Sequence, residues 1–575
     1  MLGLLPSLLA KPAGAQESAS PADFLPATTA VYVAVADPAA LIDSVENHPV
    51  IQEIQAMPEY KDLIASPDFA PALIGLAFFE NQIGESWREA LATNTGGGLY
   101  LAVDAGTGGA AVIGKSNDEA KLRRLLGTAL ALSSMGPDGQ QGDKPYEVKE
   151  YRGAKAASFD DFVVARYETW FVVTNKGEFA KLLVDNIIDG TDDSLASQDW
   201  FGEAVEHSAS AENADAVAFI NLETARVLGE SEDIFRGRTD NPAIELMFGG
   251  ILDTLKHAPY AVASLELEDD LGLSLSTPFE SDWANEHRRF FYGSDLNGSA
   301  PAPLMPENAV ASITSYRDIA DWWLSKEDLY DENVIAQLAQ ADTQLSTIFS
   351  GMDFGQEVLG ALQPGVQIVV AENTFSEDYS PDVKLPAFAM VGKLKDPGAI
   401  QPRLKIAFQS AIGVTNLQLG MQGQPQLAMD TEQVGSAKIS SASYFVDGED
   451  AEGLLLFNFS PSIAFQGEYF ILSSTRDLAV ELAWLAVNDP GSLEEAGRSI
   501  NTSMQIDGGT LEQILIDNRE SLIANNMIEE GNTRAAAEEQ IDALLVFAAF
   551  LKETKLDYIV DESRMDLDVT VRFGD

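Results

Sequence analysis

In 575 residues the chain has no cysteine, four histidines, and only 36 lysines and arginines against 90 aspartates and glutamates. Without cysteine there is no thiol nucleophile, no thiolate metal site, no disulfide and no lipid-modified cysteine. A formal net charge of −54 repels phosphate backbones. That argues against a nucleic-acid-binding face and against simple electrostatic attachment to anionic lipid. The acids are spread along the chain rather than gathered in a tail, as on a solvated, salt-tolerant surface. Of His48, His207, His257 and His287, no two lie at metal-ligand spacing, and H-E-x-x-H is absent. There is no G-x-S-x-G elbow, so the common serine-hydrolase turn is missing. The longest strongly apolar run, Ala543 to Leu551, is too short to cross a bilayer and reads as a buried core helix. No catalytic residue, cofactor or metal ligand is assigned from these absences, and no transmembrane span is expected.

What the chain does have is a 46% apolar share, enough for large cores, and an order of elements that recurs. Leu25-Pro26 precedes the strand pattern Ala30 to Val35 and a helix opened by Asp37-Pro38; Met305-Pro306 precedes Ala309 to Ile313 and a helix from Asp318 to Trp323. The strands Leu99 to Val103 and Ala110 to Lys115 answer to Val366 to Val370 and Ala387 to Lys393. A helix follows each pair, Asp118 to Leu132 and Pro397 to Ala411. Strand patterns at Tyr146 to Tyr151, Ala154 to Phe159, Phe162 to Arg166 and Trp170 to Thr174 are matched by Ala437 to Tyr444, Leu454 to Phe459 and Tyr469 to Ser473. The helix Glu178 to Asn186 is matched by Asp477 to Ala486. Each run closes with a strand (Val217 to Leu222; Thr502 to Ile506), a helix (Ile244 to Lys256; Ala536 to Lys552) and a hairpin (Ala261 to Ser276; Leu556 to Phe573). Strand pairs interleaved with helices predict an α+β fold, a tandem duplication in which each unit is a largely antiparallel curved sheet packed with helices.

The expected division is a signal peptide or tail over 1–23, a first copy over 24–277, a linker over 278–303 and a second copy over 304–575. In the first segment Leu2 to Ala10 is apolar and Ala13-Gly14-Ala15 before Gln16 fits a small-x-small cleavage pattern, although no basic residue precedes the run. A truncated signal peptide and a periplasmic or secreted location are the expectation. The linker carries Trp283, the basic run His287-Arg288-Arg289 and Phe290-Phe291-Tyr292. It reads as a short amphipathic helix docking the two acidic halves, or as a patch for a protein partner.

One motif matches a known chemistry. Gly109-Ala110-Ala111-Val112-Ile113-Gly114-Lys115-Ser116 satisfies G-x4-G-K-[ST], in which backbone amides wrap phosphates, the lysine neutralises charge and the hydroxyl holds magnesium. Its interior is strand-like, however, and the other copy has Ala387 to Leu394, without the first glycine or the hydroxyl. A strand ending in a Gly-Lys turn is the preferred reading. Clustered carboxylates at Asp185 to Asp193 and Asp447 to Glu452 suit a hard cation in type but lack the D-x-[DN]-x-[DN]-G register, so solvated turns are expected.

The paired openings and the segment Phe171-Val172-Val173-Thr174 to Leu182, a strand followed by a helix carrying Ala-x-x-Leu, resemble a family of exported bacterial proteins known as a domain of unknown function. The resemblance spans both copies and implies an envelope or secreted location and a duplicated α+β build. It carries no activity and no catalytic residues. The functional expectation is a non-enzymatic binding or scaffold protein of the cell envelope, with an unknown envelope ligand or protein as partner. The alternatives are an extracytoplasmic hydrolase whose carboxylates converge only in three dimensions and, more distantly, nucleotide binding through Gly109 to Ser116.

Overall fold

The computed structural model describes residues 20–66, 69–134, 145–208, 214–228, 239–268, 270–293, 296–349, 351–375, 380–444, 455–489, 491, 493, 499–561 and 563–574. Residues 1–19 of the segment expected as signal peptide or tail, and the acidic segment Asp447 to Glu452, lie outside the described residues, whereas Pro21–Asp23 is a 3-10 turn whose Ala22 packs in the core. The chain forms two compact units, residues 20–228 with 258–278, and residues 239–257 with 279–574.

The first unit is built on strands β1 (Thr29–Val35), β2 (Leu99–Asp104), β3 (Gly109–Lys115), β4 (Glu147–Tyr151), β5 (Ala154–Ser158), β6 (Val163–Tyr167), β7 (Trp170–Thr174), β8 (Ala216–Asn221), β9 (Tyr260–Leu267) and β10 (Leu271–Pro278). They pair antiparallel throughout, in the order β4-β5-β6-β7-β3-β2-β1-β8-β9-β10. Alternate residues of the strands, among them Tyr32, Ala102, Ile113, Val172, Phe219 and Val262, point to one face. They pack there with Phe179 and Leu183 of the helix Gly177–Asp189 and with Phe201 and Ala204 of the helix Asp199–His207. Helix starts follow local chemistry: Asp37 accepts from the Ala40 amide with Pro38 in the first turn, and Ser86 and Glu89 form a reciprocal capping box.

The second unit comprises β11 (Ala309–Ser315), β12 (Leu362–Ala371), β13 (Ala387–Leu394), β14 (Leu427–Val434), β15 (Ala437–Tyr444), β16 (Ser462–Gln466), β17 (Tyr469–Ser473), β18 (Ile500–Asp507), β19 (Leu551–Val560) and β20 (Arg564–Phe573). Its order is β14-β15-β16-β17-β13-β12-β11-β18-β19-β20, again antiparallel. The strand order of the first unit therefore recurs position for position. An α+β architecture of antiparallel sheets and helices is what the sequence predicts.

Three expectations are corrected. Of the expected strand Leu454 to Phe459, the described residues 455–459 are not a strand. Leu455–Asn458 is a turn of 3-10 helix, held because the Asn458 side chain donates to the Val383 and Leu455 carbonyls and accepts from the Leu385 amide. The strand that fills this place is β16, buried on both faces: Ala464 packs with the helix Arg476–Asn488, while Ile463 and Phe465 pack with the helix Pro397–Met421. Such a strand has no alternation to read. The run Ala543 to Leu551 is not a buried core helix either. Ala548 is buried, but Leu544, Val546 and Phe547 are exposed, and the chain turns to strand at Leu551.

The third concerns residues 278–303, expected as a linker, and the helix Pro242–His257, expected with the first copy. The helix and the segment from Phe279 onward both lie in the second unit. Phe290, Phe291 and Tyr292 are buried in its core, so they form no surface patch. Arg288, 3% exposed, donates to both Glu245 oxygens at 2.6 and 2.9 Å and to Asp253 Oδ1 at 2.5 Å. Burial opposes the Arg288 charge, but hydrogen bonds to Glu245 and the attraction of Asp253 hold its pKa above the ordinary value. Burial raises the Asp253 carboxyl against the pull of Arg288. Arg317, 1% exposed, has no carboxylate partner among the described residues. It donates to the Leu246 carbonyl at 2.7 Å, to the Met247 carbonyl at 2.6 Å and to Asn501 Oδ1 at 2.8 Å, and it lies over the Phe291 ring at 3.9 Å. Gly249 and Gly250 permit this approach, because a Cβ would strike Glu245 Oε1 at the first and the Phe291 ring at the second.

Arg288→Met leaves two buried carboxylates without a counter-charge and is expected to cost about 3–5 kcal/mol. Adding Glu245→Leu and Asp253→Leu should recover most of that loss. Urea denaturation followed by circular dichroism checks both; equal midpoints for the single and triple variants would show that the ion pairs do not set the stability.

Candidate functional site

The phosphate-loop match is a strand. Residues 109–115 pair with β2 on one side and β7 on the other, so their backbone donors serve the sheet and no anion-wrapping loop exists. Ser116 Oγ is bonded to the Thr93 and Asp118 carbonyls and to Asn94 Oδ1. The Gly-Lys pair has a different physical basis, repeated in both units. Gly114 stands opposite Phe171 and Gly392 opposite Phe470 across the ladder, while Lys115 lies over the Trp170 ring at 4.9 Å and Lys393 over Tyr469 at 4.7 Å. Burial lowers the Lys115 pKa.

The acidic segment Asp185 to Asp193 is not a set of solvated turns alone. Asp185 and Asp189 lie in the helix Gly177–Asp189 and both bind Arg152. The histidines are not brought together. His257 Nδ1 meets the Asp253 carbonyl, His287 lies near Glu286 and Asp328, and His48 ends a helix. Among the described residues no group of three or more His, Asp or Glu is placed to hold a metal ion. His207 has one catalytic-looking contact, with Nε2 2.9 Å from Ser276 Oγ and Nδ1 3.3 Å from the Tyr260 hydroxyl. Burial and the charges of Glu203 and Glu206 push that hydroxyl up to about 12. Ser276 sits within β10, opposite Val262, not at a turn or helix start where free amides would meet an oxyanion. The contact is read as a polar link between sheet and helix.

The feature that repeats is the sheet face turned away from the cores just described. In the first unit Val164, Val173, Val112, Leu101, Val33, Ala218, Ala263 and Leu275 stand side by side across eight strands. In the second unit the corresponding row is Ile463, Leu472, Met390, Ile368, Ile313, Met504, Leu556 and Val569. At strand spacing each row is about 34 Å long. Neither contains a polar side chain. Ile463 is buried beside the helix Pro397–Met421, but Ile368 is 44% exposed, Leu472 40% and Leu101 41%. Leu101, Val112, Phe162 and Val173 line a cavity of about 150 Å³. The sequence signal for this face is the near-continuous apolar run in each central strand, such as Val31 to Val35 or Leu99 to Val103, where a one-sided strand would alternate.

A Cβ at Gly114 would enter the Phe171 ring, whereas at Gly392 it would meet open space. Gly114→Ala is therefore expected to cost about 1–3 kcal/mol, and Gly392→Ala no more than about 0.5 kcal/mol. Thermal melts of the two variants check the asymmetry.

No family model matches the chain, and no curated protein matches it. Two solved structures, crystal forms IV and I of TP0453, are similar over 45% and 51% of this chain and 79% and 90% of theirs. The sequence identity is 10% and the TM-scores are 0.24 and 0.25, a likeness that carries no argument about fold or function.

Proposed function

We propose that the chain is a non-enzymatic binding protein of the bacterial envelope, made by tandem duplication, that holds an uncharged, largely hydrocarbon ligand on the half-covered face of each sheet. The observation that carries this reading is the apolar row at the same register across eight strands of both units. Apolar surface left half exposed at the centre of a sheet is retained where something covers it. The rows carry no side chain to neutralise an anionic head group, and a net charge of −54 repels one. The shared strand order and the paired Gly–Phe and Lys–aromatic contacts support duplication. The envelope location rests on the family resemblance and the leader-like first residues.

A carboxylate-based hydrolase draws less support. Among the described residues the carboxyls raised above their ordinary values are Asp253, Asp321 and Glu481, each raised chiefly by burial, and no two of them share an element. Asp253 is committed to Arg288.

The neutral fluorophore N-phenyl-1-naphthylamine tests the reading. Saturable enhancement with a micromolar Kd is expected, weakened about tenfold or more by Leu101→Glu together with Ile368→Glu, because each places a charge in the middle of a row. Both positions are half exposed, so the variants should melt normally. No saturable enhancement, or an unchanged Kd in the folded double variant, would falsify the proposal.

A further inference from the structure

The two units differ where the turn of the outermost hairpin meets the helix that follows β7 in the first unit and β17 in the second. In the first unit the turn between β4 and β5 carries Arg152, whose φ of 51° is a left-handed conformation uncommon for a residue with a side chain. Its guanidinium reaches Asp185 Oδ1 at 2.6 Å and both Asp189 oxygens at 2.7 Å, while the Tyr151 hydroxyl donates to Asp185 Oδ2 at 3.0 Å. Those aspartates are the ninth and thirteenth residues of the helix Gly177–Asp189. A cation supplied by the chain itself closes this junction.

In the second unit the turn between β14 and β15 holds Gly435, with a φ of 60°, so the first turn position has no side chain; Ser436 follows it where the first unit has Gly153 at a φ of 88°. The ninth and thirteenth residues of the helix Arg476–Asn488 are Trp484 and Asn488. What remains is a recess of about 560 Å³, lined by Val480, Trp484 and Val487 with Asp477 and Glu481 on its wall. Trp484 is 59% exposed, large for an indole on a packed helix. Asp477 pairs with Arg476 at 2.9 Å, but Glu481 has no ion-pair partner among the described residues. Burial raises the Glu481 carboxyl, helped by the charge of Glu307 and opposed by a backbone hydrogen bond from Glu307.

We infer that this recess binds a small organic cation, a guanidinium or ammonium group on a hydrocarbon stem, in the place that Arg152 occupies in the first unit. The stem lies on Val480 and Val487, the cation meets the Trp484 ring, and Glu481 supplies the counter-charge. The volume is that of a small-molecule site. The inference does not depend on the sheet faces binding a hydrocarbon ligand.

Isothermal titration calorimetry of the full chain with hexylguanidinium chloride tests it, with 1-hexanol as the neutral probe and hexyl sulfate as the anionic one. One saturable site for the guanidinium is expected, about tenfold weaker in Trp484→Ala. It should be lost in Gly435→Arg combined with Ser436→Gly, which gives this hairpin the first unit's own Arg-Gly turn pair. It should persist in the Leu101→Glu, Ile368→Glu variant, so failure here and failure of the sheet-face reading are told apart. The proposal is overturned by absence of saturable heat, by equal affinity in the Gly435→Arg, Ser436→Gly variant, or by 1-hexanol or hexyl sulfate binding as well as the guanidinium.

Discussion

Two buried guanidinium groups hold the second unit together in the region where the sequence suggests only a linker. Charges enter a protein interior at high cost unless every donor is answered, and Arg288 and Arg317 are answered in opposite ways. Arg288 has two carboxylates, Glu245 and Asp253, and forms short, charge-assisted bonds to both. Arg317 has none among the described residues and spreads its charge over the carbonyls of Leu246 and Met247, the Asn501 amide and the face of Phe291. Both sets of partners include the helix Pro242–His257. Its Gly249-Gly250 step removes the two Cβ atoms that would block the approach, so helix and following segment are one packed object.

Around that lock the second unit repeats the ten-strand order of the first, and the repetition extends to contacts between side chains. A glycine faces a phenylalanine and the next residue, a lysine, covers an aromatic ring in both sheets. This cross-strand arrangement explains why a sequence with no phosphate-binding loop contains G-x4-G-K-S. The motif is the trace of sheet packing, with glycine needed for the ring beside it and lysine placed by the ring opposite.

The units diverge where the lateral hairpin meets its helix. One fills the junction with Arg152 and two aspartates; the other leaves indole, valine and a carboxylate around an open recess. The first turn residue is left-handed in both units, at φ 51° in Arg152 and 60° in Gly435, but Gly153 follows it in one and Ser436 in the other. The apolar rows, by contrast, are common to both units.

Most strands could be read from the sequence because apolar runs bounded by turn residues mark them whether one face or both is buried. Tyr32 and Val33 fall on opposite faces of β1, and both are apolar. β16 escaped because Pro461 and two flanking serines obscure a five-residue strand buried on both faces, and Leu455–Asn458 is richer in leucine yet forms a turn around Asn458. The recess had no signature at all: Trp484 and Glu481 read as an ordinary helix surface, and only the placement of Gly435 opposite them creates a cavity. By itself the sequence determined most of the strands, the absence of thiol chemistry and the acidic charge, since these depend on local pattern and composition. Only the tertiary structure decided which unit holds the helix Pro242–His257, which carboxylates are buried and what lies beside Trp484. Those outcomes depend on contacts between residues up to hundreds of positions apart, such as Arg317 with Asn501, that no local pattern encodes.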